Sequence, residues 1–458
     1  MTTLIKNGTI ITAADTYRAD ILVKNGRVFE IGREISKIAN EIIDATGKWV
    51  LPGAVDAHTH LGALCDGMAP ADDFASATAA AAVGGTTTVI DYAEQAPGGT
   101  LAAALEEWKG KGAGSSVVDY AFHLAICEVN PGVLGEIPAM VDAGVTSFHV
   151  RLDGCGERYI NDGDLLEFFE CVRGAGAIAC LHAENGEIVR SCLRRLRAEG
   201  KTAVRYLPLA RPPEVEAQAT ARAISIAEMA RAPIYLSGVS CAHAIERVKA
   251  ARDRGQAVYA ETSPHFLLLA SDRYEDPDGE KYICIPPLRP SWHADVLWKA
   301  IASGDVHAVA SNHRAFDHAG QKELGRDDFT RAPHGFAGIQ ERVSLMHSAG
   351  VGAGKISPNR LVELVSAFPA RIFGLFPRKG TLSVGSDADM ILFDPEAEVT
   401  LTQAKSVSRS DYTPYEGMSV RGAPWMVLQR GKVIARKHKI MTGAGAGEFL
   451  PSVRSSLP

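Results

Sequence analysis

The sequence predicts an α/β protein, a closed TIM-type (β/α)8 barrel joined to a β-sandwich assembled from both chain ends. Three observations predict it. In the middle of the chain, helical amphipathic stretches end in Gly and run at once into short apolar or β-branched segments. Strand-like segments of that kind number eight. Both ends of the chain instead carry period-two runs separated by Gly-centred turns.

The repeated unit is read directly in AAAAVGG-TTTVIDYA (79–93), PAMVDAG-VTSFHVRL (138–152), FFECVRGAG-AIACLHAE (168–184), VKAARDRG-QAVYAET (248–262) and LWKAIASG-DVHAVASNH (297–313). A Gly just past a helix supplies the left-handed cap that turns the chain sharply into a strand. Strands that alternate with helices form a parallel sheet, because parallel neighbours need a crossover. The eight strands are expected at 50–58, 86–93, 117–126, 145–152, 177–184, 233–240, 257–263 and 306–313. Eight such units over about 250 residues is the count that closes a barrel. The open doubly wound alternative expects a GxGxxG after its first strand, and none is present.

The end segments follow a different rule. KNGTIITAADTYRADILVKNGRVFEIG holds two Asn-Gly hairpin turns, and SVGSDADMILFD and PWMVLQRGKVIARKHKI have the same texture. Neither segment buries both of its faces alone, so one sandwich made from both is expected. The domains are therefore 1–52 and 379–440 for the sandwich and 53–378 for the barrel. Residues 441–458, rich in Gly and Pro, read as a tail or an arm onto a neighbouring subunit.

Composition excludes several functions. The net charge of −6, with Lys and Arg scattered, argues against a nucleic-acid partner. No stretch reaches the ~20 apolar residues of a membrane span, and the N-terminus has no secretory pattern, so a cytoplasmic protein is expected. The 8 cysteines form no CxxC pair. Cys127, Cys180 and Cys284 fall in strands, where buried thiols are expected and disulfides are not.

Chemistry in such a barrel gathers where strands end at its C-terminal face. The first strand ends in Asp56-Ala57-His58-Thr59-His60, and side chains two apart on a strand share a face. Two imidazoles projecting together make a transition-metal clamp, against the plainer reading of two packed or solvated histidines. The fifth strand supplies His182 with Glu184 behind it, and the fourth supplies His149 and Arg151. The eighth ends in Asn312 and His313, followed by Arg314. His265 and His334 lie in loops that can face the pocket, while His123 reads as a packed core residue.

PGAVDAHTHL, ADDFASATAAAAVGGTTTVIDYA, LHAENGEIV, VSCAHAIERV, AETSPHFLLL, PPLRP and DYTPYEGM, in that order, resemble dihydropyrimidinases and bacterial hydantoinases from about residue 3 to about 450. The resemblance implies a TIM barrel with a β-sandwich, and a homotetramer or homodimer. It also implies a two-metal centre whose activated water opens the ring amide of hydantoins or dihydrouracil. His58, His60 and His182 match metal ligands of that family. Other positions depart from it. The lysine that is carbamylated to bridge the metals matches His149, and the carbonyl-polarising tyrosine matches Gly154. A histidine ligand of the second metal matches Gly238, and the aspartate that is both ligand and proton shuttle matches Asn312. The serine and asparagine whose backbones hold the ring amide match Ile285 and His334.

An imidazole cannot be carbamylated, and it brings no negative charge to offset two close dications. The donor set that remains suits one divalent metal per subunit, zinc first, held by His58, His60, His149 and His182, with iron, cobalt and nickel also compatible. Such an ion still acts as a Lewis acid. Asn312 cannot carry a proton, so His313, Glu184, Asp153 or an unligated His149 has to replace the base. Arg151, Arg314, His334 and Cys65 are expected on the substrate side, and the two arginines make an anionic small molecule a candidate substrate. The expected function is a metal-dependent hydrolase of a cyclic amide or imide other than plain hydantoin. A non-catalytic scaffold of the same fold, and lyase or decarboxylase chemistry on the same metal, are the alternatives.

Overall fold

The computed structural model describes residues 2–154 and 159–454. At its centre are eight parallel strands in sequence order: Ala54–Thr59, Thr86–Glu94, Asp119–Ala125, Ser147–Arg151, Ile178–His182, Ile234–Leu236, Val258–Thr262 and Ala308–Val309. Each falls within or beside its predicted segment. Almost every residue of these strands is buried, as expected where one face meets the barrel interior and the other a layer of helices. The Gly-capped turns are present too. Gly304 takes φ +92° after the helix Trp292–Ser303 and swings the chain into the last strand.

Closure is unequal around the ring. The eighth strand has two residues, and it meets the first through a parallel bridge between Thr59 and His313, where the His60 N–H donates to the His313 carbonyl at 2.9 Å. Side chains do the rest. Arg342, fully buried, donates to the carbonyls of Val55 (3.3 Å) and Val309 (3.0 Å) and to Thr86 Oγ1 (2.9 Å), and lies 3.4 Å from the Asp56 carboxylate. The other Asp56 oxygen accepts the Ser311 N–H at 3.0 Å. First, second and eighth strands are thus stitched by one buried ion pair.

The sandwich has a four-stranded sheet from the N-terminal segment (Thr2–Lys6, Asp20–Lys24, Arg27–Gly32, Glu41–Asp44) and a seven-stranded sheet from both ends. In the larger sheet Trp49–Pro52 pairs with Met390–Thr400, which pairs with Ser419–Gln429. Here the expected first barrel strand is corrected: 50–58 is two strands, Trp49–Pro52 in the sandwich and Ala54–Thr59 in the barrel. They divide at Gly53, where a Cβ would lie 2.2 Å from Thr87 Oγ1 and 3.0 Å from Asp389 Cβ. Apolar side chains of the two sandwich sheets (Ile5, Ile21, Val50, Met390, Leu428) make a core separate from the large one between the barrel strands and their helices.

One further expectation is corrected, that of a free thiol at Cys127. The segment read as a tail or an arm onto a neighbouring subunit has its described part along its own barrel: Leu450 N–H donates to the Tyr120 carbonyl, Ser452 to Gly144 and Val453 to Gly374. Cys127 is disulfide-bonded, whereas Cys180 and Cys284 are buried free thiols as anticipated. Among the described residues no helix is long and apolar enough to cross a membrane.

Removing one partner of a fully buried ion pair leaves the other charge uncompensated, at about 3–5 kcal/mol. Arg342→Met is expected to lower unfolding stability by that order in urea titrations, and Asp56→Asn in the same chain to restore part of it. An unchanged midpoint in Arg342→Met would show that closure does not rest on this pair.

Candidate active site

His58 and His60 leave the first barrel strand side by side, with their Nε2 atoms 3.2 Å apart. Each is fixed from behind. The Nδ1 of His58 lies 2.6 Å from the Glu261 carboxylate at the end of the seventh strand, and Glu261 also accepts from Tyr235 Oη at 2.7 Å. Asp91, on the second strand, brackets His60 by accepting from Thr59 Oγ1 and Leu61 N–H, each at 2.9 Å. The Tyr92 ring packs 4.9 Å from both imidazoles and 4.7 Å from His149. Burial pushes His60 well below the ordinary imidazole range, and Arg314 and His58 push it further. Burial does the same to His149, reinforced by Arg151. Both are therefore neutral around pH 7, with nitrogen lone pairs to offer.

His58, His60, His149 and His182 all line one inner cavity with Arg151, Asn312, Arg314, His265 and His334. The structure does not join the four imidazoles into one clamp, however. His182 Nε2 lies 2.9 Å from Glu184 and 3.6 Å from Asp153, and these three form their own ligand-competent group. Arg211 ties Glu184 to Asp153, and Arg151 grips Asp153 with two hydrogen bonds of 3.0 and 2.8 Å. Burial alone would raise Asp153, but Arg151, His182 and Arg211 hold its carboxyl far below the usual range. One oxygen of Glu184 is thus taken by His182 and Arg211, and the other, Oε1, is buried without a hydrogen-bond partner. His149 makes no side-chain hydrogen bond among the described residues and faces the cavity.

The opposite wall carries the other expected residues. Arg314 donates to the Leu64 carbonyl at 2.6 Å and lies 3.2 Å from His334 Nε2, and His334 Nδ1 lies 3.3 Å from Cys65 Sγ. Cys65, His334, Arg151 and Arg314 share an outer cavity of about 270 Å³ that opens from the inner one. Asn312 reaches the inner cavity from a left-handed backbone, φ +52°. His313, named above as a replacement base, is turned away: its Nε2 meets Asp72 at 3.1 Å and its Nδ1 accepts from the Gly338 N–H. Its alternation with Asn312 along the chain sends it behind the wall.

An amidohydrolase family model matches residues 294–434. The D-hydantoinase of Geobacillus stearothermophilus is 43% identical over 453 residues, covering 98% of this chain and 96% of that protein. That of Ralstonia pickettii is 42% identical, covering 98% of each. The chain belongs to the hydantoinase and dihydropyrimidinase family. The crystal structure of dihydropyrimidinase from Brevibacillus agri NCHU1002 superimposes with a TM-score of 0.98 at 41% identity, covering 100% of both chains. The barrel and two-ended sandwich are those of the family.

A divalent ion fits this donor set in part. Two imidazole nitrogens bound to one transition metal at ~2.0–2.1 Å stand about 3 Å apart, which is the spacing of His58 and His60. With His58 Nδ1 donating to Glu261, its Nε2 keeps a lone pair, and the carboxylate–imidazole pair is the usual support of a metal ligand. The residues do not fit a second ion at His149, Gly238 and Asn312, where no carboxylate is supplied. Glu261, Tyr92 and Arg211 were not evident from the sequence. An acid two residues before the SPH motif, at the end of a strand, was the signal for Glu261.

Lys322 holds the two loops that edge the cavity. Fully buried, it donates to the carbonyls of Ile283 (2.7 Å) and Pro333 (2.8 Å), and burial lowers its pKa to about 7. Between about pH 7 and 10.5 the unfolded chain holds a proton that the folded chain has released, so this group makes stability rise with pH there. Measured by urea unfolding, the stability of wild type relative to Lys322→Met should grow on the order of 2 kcal/mol from pH 7 to pH 9. A difference independent of pH would assign Lys322 an ordinary titration.

Proposed function

We propose that this chain is a metal-dependent hydrolase of a cyclic amide or imide C–N bond, with one divalent ion per subunit, zinc first, and a substrate other than plain hydantoin. The observation that carries the reading is the His58–His60 pair, its Nε2 atoms 3.2 Å apart, with His58 backed by Glu261 and burial pushing His60 well below the ordinary imidazole range. Decay of a useless site gives no reason to keep two imidazoles, their supporting carboxylate and a packing tyrosine in register. When bound there, the ion supplies Lewis-acid polarisation of a ring carbonyl and a more acidic water.

The protein's own groups do the remaining work. Neutral His149, open to the cavity and free of hydrogen bonds among the described residues, is the proton acceptor we assign in place of the carboxylate matched by Asn312. Its low basicity predicts slow turnover, since general-base assistance contributes about 10²–10⁴ in rate when the base is well matched. Asn312 is left to hydrogen-bond a ring amide, donating through its side-chain nitrogen and accepting through its oxygen. The Asp153–Arg211–Glu184 network keeps His182 oriented on the cavity wall.

Metal analysis of the purified protein should return about one equivalent of a divalent ion. His58→Ala and His60→Ala should lose both the ion and ring opening across a panel of cyclic amides and imides. Glu261→Ala should weaken metal affinity by about 10–100-fold while leaving the fold intact. Ring opening that persists undiminished in His58→Ala would overturn the assignment.

A further inference from the structure

The two arginines at the cavity are not equivalent. Arg151 has its counter-ion in Asp153, held by two hydrogen bonds. Arg314 is 7% exposed and has no carboxylate within ion-pair distance among the described residues. Its guanidinium carries five N–H donors. One meets the Leu64 carbonyl and one points at His334 Nε2, a neutral partner, and its Nε is buried without any. Two acids, Asp66 and Glu94, line the outer cavity with it and neither makes an ion pair with it; burial pushes Glu94 up, and Arg314 is the charge that most opposes this. A buried cation without a counter-charge costs free energy, and proteins retain one where a ligand brings the missing charge.

The position of Arg314 is also built for. Gly335, at φ +115°, packs so closely that a Cβ there would fall 2.8 Å from the Arg314 Cβ and 2.9 Å from its carbonyl oxygen. The guanidinium faces the inner cavity with His58 and His60, and the outer one of about 270 Å³. A planar guanidinium fork matches a planar carboxylate with two parallel hydrogen bonds.

We infer that the ring this site takes carries a carboxylate substituent, and that Arg314 is the residue that selects it. The inference rests on the hydrolase reading for the word ring, and on the unpaired guanidinium for the word carboxylate. The substituent lies in the outer cavity, with the ring amide reaching inward to the His58–His60 pair. Arg151, already neutralised, shapes the wall without choosing the substrate. A neutral hydantoin would leave Arg314 without an ion-paired carboxylate.

The test is a binding comparison that does not depend on turnover. Hydantoin-5-acetate and its neutral isostere, hydantoin-5-acetamide, are titrated into the metal-loaded protein by calorimetry. The acetate should bind at least about tenfold more tightly. Arg314→Gln should erase that preference, and Arg314→Lys, which keeps the charge and loses the fork, should retain part of it. Arg151→Gln should leave the preference in place. Equal affinity of wild type for acid and amide would overturn the inference, and so would a preference that survives in Arg314→Gln. The wild-type comparison decides the matter even if Arg314→Gln fails to fold. Tight acetate binding without ring opening would uphold the carboxylate site and instead overturn the hydrolase reading. Hydrolysis of acid and amide with equal KM would do the reverse.

Discussion

The barrel is only as closed as its last seam, and that seam is held by a buried ion pair rather than by a ladder. The final strand contributes two residues, too few to fix its register by backbone hydrogen bonds alone. Arg342 and Asp56 supply what is missing, by reaching the backbone or hydroxyls of the first, second and eighth strands from one point. Because Asp56 stands two residues before His58, the same interaction that shuts the ring also fixes the strand from which the functional imidazoles project.

From that strand outward, the site is a set of imidazole rings supported by charges lying one layer back. Glu261 holds His58, Asp91 brackets His60, and Tyr92 fills the space between these and His149. Charge inside the cavity is carried by arginines, and no carboxylate lines its inner part among the described residues. This inverts the usual arrangement for two dications, which need anionic ligands to offset their mutual repulsion. Imidazoles and arginines line the inner part, and the acids Asp66 and Glu94 join Arg151 and Arg314 on the outer wall.

Fold and family were legible because both follow from local rules: helix-capping glycines, apolar strand runs and Asn-Gly turns each act over a few residues. The histidines were legible for the same reason, since strand alternation alone puts His58 beside His60 and His149 beside Arg151. Misreadings came wherever a side chain's partner lay far off in the chain. His182 keeps the Glu184 read behind it, whereas Asp153 and Arg211, which join them, gave no local signal. His313 looked like a base until Asp72, 241 positions away, took its proton-bearing edge. The two arginines looked alike because the sequence shows that Asp153 is nearby, but not that Arg314 makes no ion pair among the described residues. The disulfide at Cys127 gave no spacing signal at all.

Gly53 gives the molecule a property that neither of its layers has separately. A single uninterrupted run of chain leaves the sandwich as Trp49–Pro52 and enters the barrel as Ala54–Thr59 with one residue between, too tightly wedged against Thr87 and Asp389 to act as a hinge. Five residues past that wedge stands His58. The close packing at residue 53 thus joins the sandwich edge directly to the strand that carries the functional histidines. Cutting the chain there would yield two fragments, each lacking an edge supplied by the other, rather than two independently folding units.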